Sequence, residues 1–316
     1  MRIPDMRRLT VAKETVRHIS SLLLTDERWT RRALAEKAEV SSMTVGKIVA
    51  AWGEAALLTE NLTPIERGRN PREIRLAERS IAWGILRMEE KGCSLVVVTA
   101  RGVRLRQHSI PYDAAMSPED NGAVLRGRWH ATRSELEESY AVVGLGVILR
   151  ESPVPYWEQV VRDGIGAEAD CVDREEALTA KAMRKLAARE PALYLCLGHQ
   201  IRAILVIGES WTENKRVING GERYETLTEA ILQTASMIPL GSIVAESHGR
   251  YEGDAKRLLH RLERRWRTEL DRPCPELILS ESLTFAEKAA IESLNDLLAK
   301  RLAEQMGKEQ SPTCIF

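Results

Sequence analysis

The run Ser41-Ser42-Met43-Thr44, with Lys47 three residues on, is the first place where side-chain types suggest chemistry. Hydroxyls donate to or accept from either kind of base edge. A methionine packs on a thymine methyl, and a lysine reaches guanine or phosphate. No acidic residue occurs from Ser41 to Trp52. A second set follows in Arg67-Gly68-Arg69-Asn70-Pro71-Arg72. Three arginines on a path that glycine and proline keep extended suit a loop that follows phosphates or enters a narrow minor groove. Ser41, Ser42, Met43, Thr44, Lys47, Arg67, Arg69 and Arg72 are therefore the candidate DNA contacts. Another basic cluster, Lys256, Arg257, His260, Arg261, Arg264, Arg265 and Arg267, alternates with glutamates and with Leu258, Leu259 and Leu262. That pattern reads as the solvated outer face of a helix.

The cysteines at 93, 171, 196, 274 and 314 are odd in number and widely spaced. They form neither a CxxC metal knuckle nor a disulfide framework, so the sequence predicts no metal and a reducing cytoplasm. No apolar run is long enough to span a membrane, and the charged start M-R-I-P-D-M-R-R has no apolar core behind it.

Elements must position the two basic sets. Residues 5–24 carry Leu9, Ala12, Val16, Ile19 and Leu23 at helical spacing. Thr30 is placed to cap a short second helix through Leu34, Ala35 and Ala38. Ser41 is placed to cap a third, with Val45, Ile48, Val49 and Trp52 inside. Between them, Glu39 holds a turn position usually given to glycine, at a cost of about 1 kcal/mol and with an expected distortion. Short extended runs, Leu57–Leu62 and Glu73–Leu76, flank the arginine loop. Helix, helix, helix and hairpin is the order of a winged helix-turn-helix.

Beyond residue 80 the pattern changes. Strands are predicted at 81–88, 94–99 and 103–110, then a helix at 119–139, a strand at 142–149, a helix at 155–163, a strand near 168–172 and a helix at 174–189. Strands at 192–197, 201–208 and 215–218 come next, then helices at 224–246, 253–270 and 284–305 with a strand at 276–279 between the last two. Three strands followed by alternating units occur twice, the order of a duplicated ribonuclease-H-like or actin-like fold. The expected division is 1–78 and 79–316, the second part in two lobes.

The chain has 316 residues, 44 % hydrophobic and 29 % charged, which excludes a disordered or collagen-like protein. Its 46 basic and 46 acidic residues cancel. They are unevenly placed: residues 1–80 carry a net charge of +4 and residues 81–316 a net charge of −4. A balanced sum thus conceals a basic head on an acidic body.

The segment Leu34–Val49 resembles the helix-turn-helix of ROK-family repressors, and Gly68-Arg69-Asn70-Pro71 resembles that family's Gly-Arg-Arg-Pro wing. The resemblance implies a sugar-kinase-like body, and there this chain departs from the family. Leu86-Arg87-Met88-Glu89-Glu90 stands where the family has Asp-x-Gly-x-Thr. The stretch Leu197–Ala203 keeps one glycine of the second phosphate loop. Side chains there obstruct the approach of backbone N–H groups to phosphate. Arg174-Glu175 falls at the sugar-binding Asn-Asp, and an adjacent arginine opposes Glu175 acting as a base. Gly221-Glu222-Arg223-Tyr224-Glu225 resembles Gly-Glu-Ile-Gly-His, with the zinc-binding histidine replaced and the cysteine knuckle absent.

The resemblance therefore implies a DNA-binding transcriptional regulator, a repressor of carbohydrate-related genes, acting on double-stranded DNA as a homodimer or tetramer. No enzyme activity, cofactor or metal is expected. A sugar or sugar phosphate is the implied effector, with Glu175, His199 and Glu222 as candidate contacts. Two other readings stand beside it: a sugar kinase with an added head, and a protein-interaction module without DNA binding.

Overall fold

The structure, a computed structural model, describes residues 5–25, 27–62, 72–89, 92–111, 113, 115–149, 154–186, 191–197, 201–208, 210–216, 223–247, 253–280 and 283–308. The first elements are α1 (Lys13–Leu23), β1 (Trp29–Thr30), α2 (Arg31–Lys37), α3 (Ser42–Glu54), β2 (Leu58–Leu62) and β3 (Arg72–Leu76). The strands form an antiparallel sheet in the order β1-β3-β2. Val16, Ile19 and Leu23 of α1, Leu34 of α2, and Val45, Ile48, Val49 and Trp52 of α3 are buried. The apolar stripes of all three helices thus close on one another, with Ile74 and Leu76 from the sheet. Helix α1 starts at Lys13 rather than near residue 5. The backbone of the preceding residues bonds elsewhere, Leu9 N–H donating to the Met306 carbonyl at 2.7 Å and Val11 C=O accepting from Lys308 N at 2.8 Å.

The next strands are β4 (Ile81–Glu89), β5 (Gly92–Thr99) and β6 (Arg104–Pro111). They are followed by α4 (Pro118–Leu136), β7 (Ala141–Leu149), α5 (Val154–Gln159), a π-helical turn (Val160–Ile165), β8 (Cys171–Arg174) and α6 (Glu175–Leu186). Then the series repeats as β9 (Ala192–Leu197), β10 (Ile201–Ile207), β11 (Ser210–Arg216), α7 (Arg223–Met237), β12 (Ser242–Ser247), α8 (Asp254–Glu269), β13 (Glu276–Ser280) and α9 (Phe285–Met306).

The two sheets have the same wiring. The orders are β6-β5-β4-β7-β8 and β11-β10-β9-β12-β13. In each, three antiparallel strands are extended by two parallel ones. The duplication is thus more regular than the sequence reading had it. That reading ran one helix over 224–246, whereas α7 ends at Met237 and residues 242–247 are the strand β12. Pro239 and Gly241 end the helix, and Ile243, Val244 and Ala245 enter the sheet interior fully buried. The strand predicted at 215–218 is β11, seven residues paired to β10 from Ile207↔Ser210 to Ile201↔Arg216. Residues 217 and 218 lie outside the described residues.

By packing, the chain divides into Met1–Arg174 with Ala290–Phe316, and Glu175–Ala289. In the first unit, Leu86, Leu95, Val97, Leu125, Trp129, Leu145 and Trp157 belong to a core between the sheet, α4 and α5. In the second, Leu195, Leu197, Ile231, Ile243, Ala245, Leu258, Leu262 and Trp266 form one between the sheet, α7 and α8. The near-continuous apolar strands β4, β7 and β9 are central in their sheets, where both faces are covered.

Candidate nucleic-acid interface

Thr30 and Ser41 cap their helices as expected. The Thr30 hydroxyl accepts from Ala33 N at 3.1 Å, and the Ser41 hydroxyl from Thr44 N at 3.2 Å. Between the helices Glu39 takes φ 55°, in the left-handed region. The turn is nonetheless regular: Glu39 N donates to Glu36 O at 3.3 Å and Val40 N to Ala35 O at 3.0 Å, the paired bonds of a Schellman motif. The expected distortion is absent, because both bonds form despite the side-chain cost. Helix α3 ends the same way with Ala56 at φ 55°, Leu57 N donating to Trp52 O at 3.0 Å.

The outer face of α3 carries the candidate contacts. Ser41, Ser42, Met43 and Lys47 are exposed, Met43 by 74 %. Thr44 is half-buried, and its hydroxyl shares a hydrogen bond of 2.9 Å with that of Ser41. These two residues order the helix start, while Ser42, Met43 and Lys47 present free faces. A Cβ built on Gly46 would meet nothing within 4 Å, so no packing inside the protein demands a glycine there. Beside the helix start lies an open groove lined by Arg32, Ala35, Glu36, Glu39, Val40, Ser41 and Ser42. Within it Arg32 bonds Glu36 at 2.7 Å.

Leu62 of β2 pairs with Arg72 of β3. Arg67 and Arg69 themselves lie outside the described residues. Arg72 is exposed and contacts the Glu60 carboxylate at 3.4 Å, which Arg31 holds at 2.8 Å. The Arg31 guanidinium, helped by that of Arg72, keeps the Glu60 carboxyl below the usual carboxylate range. Arg72 thus fastens the foot of the hairpin as well as adding charge.

The body places the remaining candidates differently. Glu175 is buried at the start of α6, and the arginine that meets it is Arg202, at 2.9 Å, with Glu176 at 3.2 Å from the same guanidinium. Arg174, which the sequence put beside Glu175, pairs instead with Glu158 at 2.7 Å. Burial brings a strand arginine 27 positions on, by residue number, to the two helix carboxylates. His199 and Glu222 lie outside the described residues. The Leu86–Glu89 stretch ends β4, with Arg87 bonded to Glu89 at 2.8 Å and the Glu89 carbonyl accepting from Trp157 Nε1 at 2.9 Å. Glu225 is held by Arg261 and, at 2.6 Å, by Arg265. Arg267 pairs with Glu263 at 2.7 Å. Much of the α8 cluster is therefore neutralised locally. Among the described residues no group of histidine, cysteine and carboxylate side chains is arranged to hold a metal.

Sequence reasoning missed two buried polar centres. In the second unit Glu246 accepts from the Tyr194 hydroxyl and, at 2.9 Å, from Phe285 N at the start of α9. Burial and the facing Glu246 push the Tyr194 phenol up. In the first unit Asn295 bonds three separate segments. Glu246, directly after Ile243-Val244-Ala245, was the one local signal; Asn295, between Leu294 and Asp296, gave none.

No family model matches the sequence, and no curated protein does. Among solved structures the chain is similar to a ROK family transcriptional regulator, a homolog of the E. coli MLC protein. The TM-score is 0.56 at 11 % identity, covering 92 % of this chain and 98 % of that one. A ROK family protein from Streptococcus pneumoniae in complex with sucrose gives 0.43 at 13 % identity, covering 70 % and 99 %. A ROK hexokinase from Thermus thermophilus gives 0.42 at 12 %, covering 68 % and 99 %. Over nearly its whole length, this chain has the fold of a ROK family transcriptional regulator.

Proposed function

We propose that the chain is a DNA-binding transcriptional regulator of the ROK family. In this reading residues 1–78 are a winged helix-turn-helix head, and residues 79–316 are a two-lobed, sugar-kinase-like body without catalysis. The exposed face of α3 is the observation that carries it. A large apolar side chain left 74 % exposed at Met43 gains nothing for folding. A helix-interior glycine at Gly46, with open space around it, costs about 0.5–1 kcal/mol relative to alanine. Both are accounted for by a surface that meets a partner closely. With Ser42 and Lys47 beside them and no acidic residue in the first turn of α3, that partner is a DNA major groove. Arg67, Arg69 and Arg72 supply the wing, and Ser41 and Thr44 fix the helix start.

The ion pair of Glu175 with Arg202 already occupies the carboxylate that a kinase would need, which favours the non-catalytic reading. An effector, a sugar or sugar phosphate, would meet His199 and Glu222, and would meet Glu175 only together with Arg202. Dimerisation through the body would place two heads about one DNA turn apart. Repression, carbohydrate-related targets and a cytoplasmic location belong to the same reading. Among the described residues no helix is long and apolar enough to cross a membrane.

Selection of bound duplexes from a random pool, repeated with a metabolite mixture, tests the head and the body's control of it. Enrichment of a sequence whose affinity falls about 10-fold or more in Lys47→Ala, with a flatter salt dependence in Arg69→Ala/Arg72→Ala, is the expected result. A pool that shows no enrichment overturns the reading in favour of an interaction module. ATP turnover with any hexose would restore the kinase.

A further inference from the structure

Helix α9, the last described helix of the chain, is held to the head's first helix at two points. Near the start of α1, Leu9 N donates to the Met306 carbonyl at 2.7 Å, Lys308 N to the Val11 carbonyl at 2.8 Å, and Ala12 and Lys308 form a parallel bridge. At the other end, the Asn295 amide Nδ2 donates to the Leu24 carbonyl at 3.2 Å. From Lys13 to Leu24 and from Asn295 to Met306 the helical rise gives the same span, about 16 Å. The two helices are therefore matched antiparallel, end to end.

Asn295 does more than close one end. It is 9 % exposed. Its Nδ2 also donates to the Ala100 carbonyl, in the turn after β5, at 3.1 Å, and its Oδ1 accepts from Trp83 Nε1, on β4, at 2.8 Å. One amide thus satisfies the helix end of the head, a turn of the first lobe and a central-strand tryptophan together. The sheet is shaped to admit it. A Cβ on Gly146 of β7 would stand 3.2 Å from Leu294, the neighbour of Asn295. A Cβ on Gly144 would stand 2.2 Å from the Asp170 carboxylate, which accepts from Leu145 N at 3.0 Å and lies 3.9 Å from Arg301 of α9. Two side-chain-free positions on β7 therefore open a channel for α9 and for the acid that faces it.

We infer that Asn295 is a positioning residue that locks the head onto the first lobe, so that the spacing of two DNA-reading heads is set by the body. The spacing part rests on the DNA-binding reading; the lock does not. The backbone bonds of Leu9 and Val11 hold only one end, and apolar packing would leave the Leu24 end of α1 free to shift along α9, whereas a donor–acceptor triad accepts one register.

Amide hydrogen exchange on the full chain tests the lock without DNA. In Asn295→Leu, exchange at Leu22–Thr25 and in α1 should speed at least 10-fold, with the α3 amides of Val45–Trp52 unchanged. Asn295→Asp keeps an acceptor for Trp83 but sets a carboxylate oxygen against the Leu24 and Ala100 carbonyls, and should speed the same amides at least as much. Trp83→Phe should speed the same α1 amides by a smaller factor. Uniform acceleration across the first unit, or none, overturns the lock and leaves Asn295 an ordinary core residue. Paired half-sites at varied separation test the consequence. The wild-type chain should prefer one separation, and Asn295→Leu should flatten that preference with single half-site affinity unchanged. A preserved preference in a variant with accelerated α1 exchange overturns the spacing claim alone. Absence of DNA binding by the wild-type chain removes the proposed function but leaves the exchange result to decide the lock.

Discussion

The two sheets of the body share strand order and direction, yet a row drawn across corresponding strands can differ completely in chemistry. In the first, Val96, Ile85, Gly146 and Cys171 stand opposite one another on β5, β4, β7 and β8. In the second, the corresponding strands β10, β9, β12 and β13 present Arg202, Cys196, Glu246 and Ser280. Residues paired across strands share a face. One row is therefore apolar and notched by a glycine, and the other is charged, although Arg202 is only 3 % exposed and Glu246 is 0 % exposed. Topology fixed neither interior. The first sheet uses its notch to seat Leu294 of α9. The second keeps two charges that must be matched, by Glu175 and Glu176 for Arg202, and by the Tyr194 hydroxyl and Phe285 N for Glu246.

The sharpest way to break this contrast is Arg202→Ala. It leaves Glu175 and Glu176 buried without their cation and should cost about 3–5 kcal/mol, seen as a lower urea midpoint. Replacing all three residues with leucine or methionine should restore most of that loss, because well-packed apolar side chains stand in for buried ion pairs at little cost. If Arg202→Ala alone melts like the parent, the charged row contributes nothing and the contrast is empty. Filling the first row comes next. Gly146→Val drives a branched side chain into Leu294 and should cost about 1–3 kcal/mol, with faster exchange in α9. An unchanged melt would show the notch to be slack. The smallest effect concerns Cys171. Burial, with Asp173 and Asp170 facing it, pushes its thiol up to about 12. At pH 8 its thiolate fraction is far below that of an ordinary cysteine, and the fraction grows tenfold per pH unit until the pH reaches that value. Alkylation followed by mass spectrometry should find it modified more slowly than the exposed Cys274. Equal rates would place Cys171 in water and remove it from the apolar row.

Much of the architecture was legible because its causes are local. Thr30 and Ser41 bond N–H groups three residues away, so the two helix starts follow from short sequence. Periodicity marked the stripes of α1 and α3, and the alternation of strands and helices announced the duplication. Strand β12 was missed because Ser242-Ile-Val-Ala-Glu-Ser has only three apolar residues in a row and a glutamate that reads as solvent-facing. That glutamate is acceptable inside only because Tyr194 and the start of α9 supply donors to it. The candidate face of α3 was legible for the same local reason as its cap. The neighbour of Glu175 was not.

The sequence by itself determined the starts of α2 and α3, the uneven placing of charge, the three-strand opening of each body sheet and the candidate face of α3. Each depends on neighbours within a few positions or on a sum over a segment. Tertiary structure decided which arginine meets Glu175, which of the candidate hydroxyls stay free, and how the head is held. Asn295 and Leu24 are 271 positions apart. An asparagine on a helix announces no partner: its meaning comes from the two carbonyls and the indole N–H that folding brings to it, and from the cost of leaving any of them buried and unpaired.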